Sequence, residues 1–203
     1  MKRIIIAVIA ASAFLVSCQK SNEEKAEELI KVSMNKTLLH PESYEAVETV
    51  LDSAFAPLDS PEFFNKIMKV VHCVDDMSKV GEEINEAQTS MSLWSISSTA
   101  LARNEYRKAK AKYEAACAKK EELEKKSMRL AEKLKPDLQN KPTFIGFKAR
   151  HKYRANTNAG NTVFGEMKFV FDKELTKVIA EYDMQDEEYV AYQKLLEIMN
   201  GEE

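Results

Sequence analysis

IGFKARHKYRANTNAGNTVFGEMKFVF, residues 145–171, alternates between two kinds of side chain. Ile145, Phe147, Ala149, His151 and Tyr153 fall on one side of a period-2 pattern, and Lys148, Arg150, Lys152 and Arg154 fall on the other. Alternation of this kind predicts a half-buried β-strand. The segment 156–161, NTNAGN, is rich in residues that tolerate positive φ and predicts a tight reversal. Val163, Gly165, Met167, Phe169 and Phe171 then line the core face of a returning strand, while Glu166, Lys168 and Asp172 share the cationic face. A second turn at Asp172–Lys173–Glu174 leads to a third strand over 176–182, completing an antiparallel meander.

Upstream, the period changes from two to alternating three and four. Phe63, Ile67, Val70, Val74, Met77, Gly81, Ile84, Gln88 and Met91 make one seam. Ala102, Tyr106, Ala109, Tyr113, Ala116, Lys120, Leu123, Ser127, Leu130 and Leu134 make a second. Between them, the Ser-rich stretch MSLWSISS (91–98) predicts a reversal, and so an antiparallel helical hairpin over 60–135. A register in which paired residue numbers total 190 centres the fold on Ser95 and sets seam on seam; a heptad shift does the same. That register also levels Cys73 with Cys117, the candidate disulfide, although their places beside the seams put them on opposite edges of the interface. Two buried free thiols are the competing reading.

The remaining elements follow from local signals. Ser21 and Glu24 form a capping box ahead of a helix carrying Leu29, Ile30, Ser33 and Met34, which ends by His40–Pro41. Tyr44–Phe55 reads as one strand. Ser60–Pro61 fits the N-cap and first position of the hairpin. Residues 186–200 predict a closing helix with Gly201 just past its end. The expected class is α+β: a small antiparallel sheet packed with N- and C-terminal helices, and a long coiled-coil-like hairpin inserted after the first strand.

The chain opens MKRIIIAVIAASAFLVSC: two cations, an apolar run too short for a comfortable span of roughly 20 residues, and a cysteine at position 18. Leu15–Val16–Ser17–Cys18 resembles the lipobox of bacterial lipoproteins. The resemblance implies a signal peptide over 1–17, acylation of Cys18, and a single mature domain over 18–203. Two or more acyl chains give stable anchoring where one does not. The competing reading is an ordinary signal cut nearby, with Cys18 incidental. Gln19 favours an outer-membrane destination by lipoprotein sorting rules, and the acidic pair Glu23–Glu24 leaves the periplasmic or surface face open. About four residues separate Cys18 from the first helix, a reach of at most ~14 Å.

A second likeness lies in the sheet. Leu38, Leu39, Pro41, Ser43 and Tyr44, with Tyr153, Ala155, Asn156 and Gly160, resemble a recurrent pattern in small bacterial envelope lipoproteins of unknown function. The resemblance implies a fold, not an activity, and does not extend to the hairpin.

Composition narrows the function classes. The 203 residues hold 30 basic and 33 acidic side chains. The charge is segregated: residues 19–99 carry 7 basic and 15 acidic, 100–154 carry 17 and 7, and 155–203 carry 4 and 11. Such a dipole predicts an oriented surface. His40, His72 and His151 fall in separate elements with no metal-ligand spacing, so neither metal nor cofactor is expected. Lys148, Arg150, Lys152 and Arg154 are the candidate contact for an anionic partner, whether lipid head groups, a glycan or an acidic protein. Cross-strand pairing, for instance Arg150 with Glu166, is the bland alternative. The expected function is non-enzymatic: a lipid-anchored envelope protein touching another envelope component through this face or the hairpin, whose tip carries Trp94 and Ile96. The alternative is a glycan- or small-molecule-binding lipoprotein, which requires a pocket holding Tyr153, Phe164 or Tyr182.

Overall fold

A computed structural model describes residues 20–200; the expected leader over 1–17, the expected acylation site Cys18, Gln19 and residues 201–203 lie outside the described residues. The architecture is the expected α+β one. Helix α1 (Asn22–Thr37) is followed by a 3-10 turn (Pro41–Ser43) and strand β1 (Glu45–Ala56). Helices α2 (Pro61–Ser95) and α3 (Ala100–Gln139) form the hairpin. Strands β2 (Thr143–Asn156), β3 (Thr162–Phe171) and β4 (Val178–Asp183) and helix α4 (Glu187–Asn200) complete the chain. One antiparallel sheet runs β1-β2-β3-β4.

The two sheet faces are covered by different helices. α1 starts on the predicted capping box, with Ser21 accepting from the Glu24 amide and Glu24 answering the Ser21 amide. Its stripe of Ala26, Ile30 and Met34 is buried on Ala149, Met167, Phe169 and Phe171 of the core face. Tyr153 lies opposite Gly165 across the β2–β3 ladder. A Cβ on that glycine would sit 2.4 Å from the Tyr153 ring, so its bare backbone makes room for the phenol. The second cluster gathers Phe63, Ile67, Met68 and Val70 of α2, Leu134 of α3, and Tyr189 and Tyr192 of α4, with Tyr182 of β4 against it. Only the base of the hairpin enters this cluster. From Val71 to Ile96 the rod runs roughly 38 Å at ~1.5 Å per residue.

The hairpin register departs from the expected one. The chain reverses at residues 96–99, not around Ser95. Cys73 Sγ donates to the Leu123 carbonyl at 3.3 Å, so paired numbers total 196. On α2, Phe63, Ile67 and Val70 of the expected seam are buried at the base, but beyond them the buried positions are Cys73, Val80 and Ala87, and the expected seam residue Val74 is exposed. The α3 seam is as read, with Ala102, Ala109, Ala116 and Leu134 buried, except that Lys120 turns to solvent. The total differs by six, a heptad slip less one residue, because the α2 seam runs through Cys73, Val80 and Ala87, one place before Val74, Gly81 and Gln88; small residues at Ala87, Ala109 and Ala116 let the two helices approach closely. The disulfide expected between Cys73 and Cys117 is absent, and both thiols are free. Cys117 is six residues from Leu123, about 9 Å along the helix, beyond the ~7 Å that a disulfide spans. α3 also continues through Pro136 to Gln139, past the expected end at 135. Lys66 of α2 holds Asp137 in this last turn at 2.6 Å.

Gly146 marks a constraint in β2. Its φ is +146°, and a Cβ there would lie 2.1 Å from the Phe171 carbonyl oxygen. Gly160 in the β2–β3 turn also has positive φ (+78°), but nothing lies near it. Gly146→Ala is expected to destabilise by roughly 3 kcal/mol through overpacking and backbone strain, and Gly160→Ala by about 1 kcal/mol through strain alone. Urea unfolding midpoints of the two variants check the order; equal losses would contradict it.

Candidate functional site

Three places in the molecule combine polar chemistry with position: the cationic sheet face, the buried His151, and the hairpin tip. Each of the four cations singled out from the sequence meets a carboxylate. Lys148 pairs with Asp59 at 2.9 Å, Arg150 with Glu166, Lys152 with Glu48 at 2.7 Å, and Arg154 with Glu45. Glu45 and Glu48 come from β1 and Glu166 from β3, so the flanking strands neutralise the middle one. Lys148, Arg150, Lys152 and Arg154, expected as a contact for an anionic partner, thus each meet a carboxylate, the pairing weighed beside that reading. The Arg150 and Lys152 side chains hold Glu166 and Glu48, respectively, below the usual carboxylate range.

Asp59 is the buried member of this system. It follows β1 and immediately precedes Ser60, which caps α2 by accepting from the Phe63 amide. Its carboxylate accepts from Lys148 (2.9 Å), from Lys168 (2.8 Å) and from the Phe55 amide (3.0 Å). Burial pushes its pKa up, but the donors from Lys168, Phe55 and Lys148 outweigh it and leave the carboxyl below its ordinary value. Beside it, the Tyr192 hydroxyl donates to the Leu58 carbonyl at 2.8 Å. The corner between β1 and α2 is thus tied to β2, β3 and α4 at once.

His151 is 1% exposed on the core face. Its Nε2 lies 2.8 Å from the Tyr44 hydroxyl and its Nδ1 2.9 Å from Thr49 Oγ1. In the neutral ring one nitrogen donates and the other accepts, so both are satisfied. Burial lowers the His151 pKa and raises that of Tyr44. The group is a closed structural network that ties the turn before β1 to β2. The other two histidines stand elsewhere, His40 beside Glu42 and His72 beside Glu188. The aromatic pocket needed for a small-molecule binder is not assembled from the expected residues. Tyr153 packs in the core with Tyr44 and His151, Tyr182 packs on Phe64 and Tyr189, and Phe164 is exposed.

The hairpin tip is different. Ser95 Oγ turns back to the Ser92 carbonyl at 2.7 Å, and Thr99 caps α3 by accepting from the Ala102 amide at 3.1 Å. Between these caps Ile96 is 85% exposed, with Leu93 at 61% and Leu101 at 64%. A groove of about 720 Å³ beside them is lined by Trp94, Ser95, Ala100, Arg103, Tyr106 and Arg107, among others. Neither arginine has a salt-bridge partner among the described residues. The nearest ion pairs on α3 are Lys108–Glu105 and Lys110–Glu114. From the sequence, Trp94 and Ile96 were legible as tip residues. Arg103 and Arg107 were not singled out, although residues 87–113 hold five cations and one carboxylate.

Linkage gives two predictions. Asp59 has a depressed pKa in the fold, so its contribution is complete above the unfolded value near 4 and is lost as pH falls through the folded one. Asp59→Asn should cost roughly 2–4 kcal/mol at pH 7 and should flatten the decline below about pH 4, as read by urea unfolding. His151 is buried neutral, so its contribution is complete above about pH 6.5 and erodes on acidification. His151→Phe should remove that slope between about pH 7 and 5 while costing about 1–3 kcal/mol at pH 7 for the two hydroxyls left behind. A wild-type chain with no such slope would contradict the assignment.

No protein-family model matches the chain, and no curated protein and no solved structure matches it.

Proposed function

We propose that this chain is a lipid-anchored protein of the bacterial cell envelope, at the outer membrane, that works by contact through its helical hairpin and carries out no reaction of its own. The observation that carries the contact reading is the hairpin tip: exposed Leu93, Ile96 and Leu101 beside Trp94, Arg103 and Arg107, at the far end of a rod whose base alone is packed into the body. Apolar side chains in solvent on a projecting element mark an interaction surface. The polar groups elsewhere support a non-enzymatic role because they are engaged. His151 has both nitrogens bonded, and Asp59 is shared by two lysines and an amide. Anchoring rests on the leader and Cys18, read from sequence.

Two measurements in intact cells test the proposal. Cys18→Ser should move the protein from the detergent phase to the buffer phase; retention in detergent would overturn the anchor. A photocrosslinker in place of Ile96 should give envelope adducts, while one in place of Arg150, inside its ion pair with Glu166, should give few. The reverse pattern would move the contact to the sheet.

A further inference from the structure

We propose that the hairpin tip docks on an anionic lipid bilayer, with Leu93, Trp94, Ile96 and Leu101 entering the headgroup boundary and Arg103 and Arg107 taking lipid phosphates. This rests on the reading of the hairpin as the contacting element, and it is independent of lipid at Cys18. Size decides against a rigid protein partner. Two helices, each about 10–12 Å across, present end-on only on the order of 200 Å², well short of the ~800 Å² a side that a stable protein interface buries. A bilayer needs no matching surface, so a small apolar point is enough to enter it.

The side chains fit that occupant. Tryptophan and tyrosine favour the boundary between apolar and wet regions, and here Trp94 and Tyr106 line one groove with the two arginines. The apolar residues lie at the turn, with Arg103 and Arg107 set behind them along α3, while Lys108 and Lys110 further back pair with Glu105 and Glu114. An apolar front backed by cations suits a negatively charged lipid surface. A second copy meeting tip to tip would bring like charges together, and the arginines have no carboxylate of their own among the described residues to relieve them.

Trp94 is the only tryptophan in the chain, so its emission reports the tip directly. Every described element lies within residues 20–200, so the test protein is the chain from residue 18 with Cys18→Ser, which has neither leader nor acyl chain. Vesicles of phosphatidylglycerol and phosphatidylcholine should shift Trp94 emission to the blue and protect it from iodide. Brominated lipid should quench it. Pure phosphatidylcholine should bind at least tenfold more weakly, and 0.5 M salt should weaken binding to the mixed vesicles. Ile96→Asp should lower affinity for the mixed vesicles at least tenfold, and Arg103→Glu with Arg107→Glu should abolish the preference for the anionic lipid. Unchanged helicity by circular dichroism shows that the variants fold, and quenching of the unmutated chain needs no variant at all. Unmoved emission with mixed vesicles at low salt would overturn the proposal, as would a blue shift that follows protein concentration without vesicles. If the vesicle test fails while Cys18→Ser still releases the protein from envelopes, only the bilayer contact falls. If vesicles bind and the double variant Cys18→Ser with Ile96→Asp, which lacks both the acyl site and the tip contact, is still not released from envelopes, the anchor falls instead.

Discussion

One carboxylate joins the two halves of this molecule. Asp59 stands where β1 gives way to α2 and holds Lys148 of β2, Lys168 of β3 and the Phe55 amide together. With its side chain only 6% exposed, it cannot exchange these partners for water. Its burial is tolerated because three donors surround it, and removing any of them leaves the buried charge less fully compensated. The hairpin owes its fixed exit from the sheet to this corner. So does α4, whose Tyr192 hydroxyl bonds the adjoining Leu58 carbonyl.

Charge is used in two opposite ways along the chain. On the sheet, cations of β2 meet carboxylates of the neighbouring strands and of the β1–α2 corner, which helps to specify strand order and register. Exposed pairs of this kind add little stability, so their use is chiefly in specifying which strand lies beside which. At the hairpin tip, Arg103 and Arg107 lie beside exposed apolar residues and have no salt-bridge partner among the described residues. The row of cations in β2 is paired, and on α3 several lysines are paired while these two arginines are not.

Legibility in the sequence followed the range of the interaction. The capping box of Ser21 and Glu24, the Ser60–Pro61 start of α2, the core faces of β2 from Phe147 to Tyr153 and of β3 from Met167 to Phe171, and the α3 seam apart from Lys120 rest on neighbours within a few residues and are legible in local pattern, whereas Val163, expected on the β3 core face, is exposed. The hairpin register was not legible, since a heptad pattern is consistent with several alignments and the loop position alone separates them. Cys73 was placed beside the seam when it lies in it, because Val74 is the more apolar choice by composition but faces solvent. The neutralisation of Lys148 was also hidden. Its partner Asp59 is 89 residues away, next to the Ser60–Pro61 start of α2, and no local pattern joins the two. Arg103 and Arg107 matched no motif, and only their place beside Trp94 distinguishes them from other surface cations.

The alanine seam makes the hairpin slender as well as long. Beyond Val71 and Leu130 it touches neither large cluster, so a push at Ile96 acts through a lever arm of roughly 38 Å. The fulcrum is the packed base around Phe63, Ile67 and Leu134, and the torque is borne next to it by the Asp59 corner. A force applied at the tip therefore meets its first packed resistance at this base, where α2 leaves the sheet.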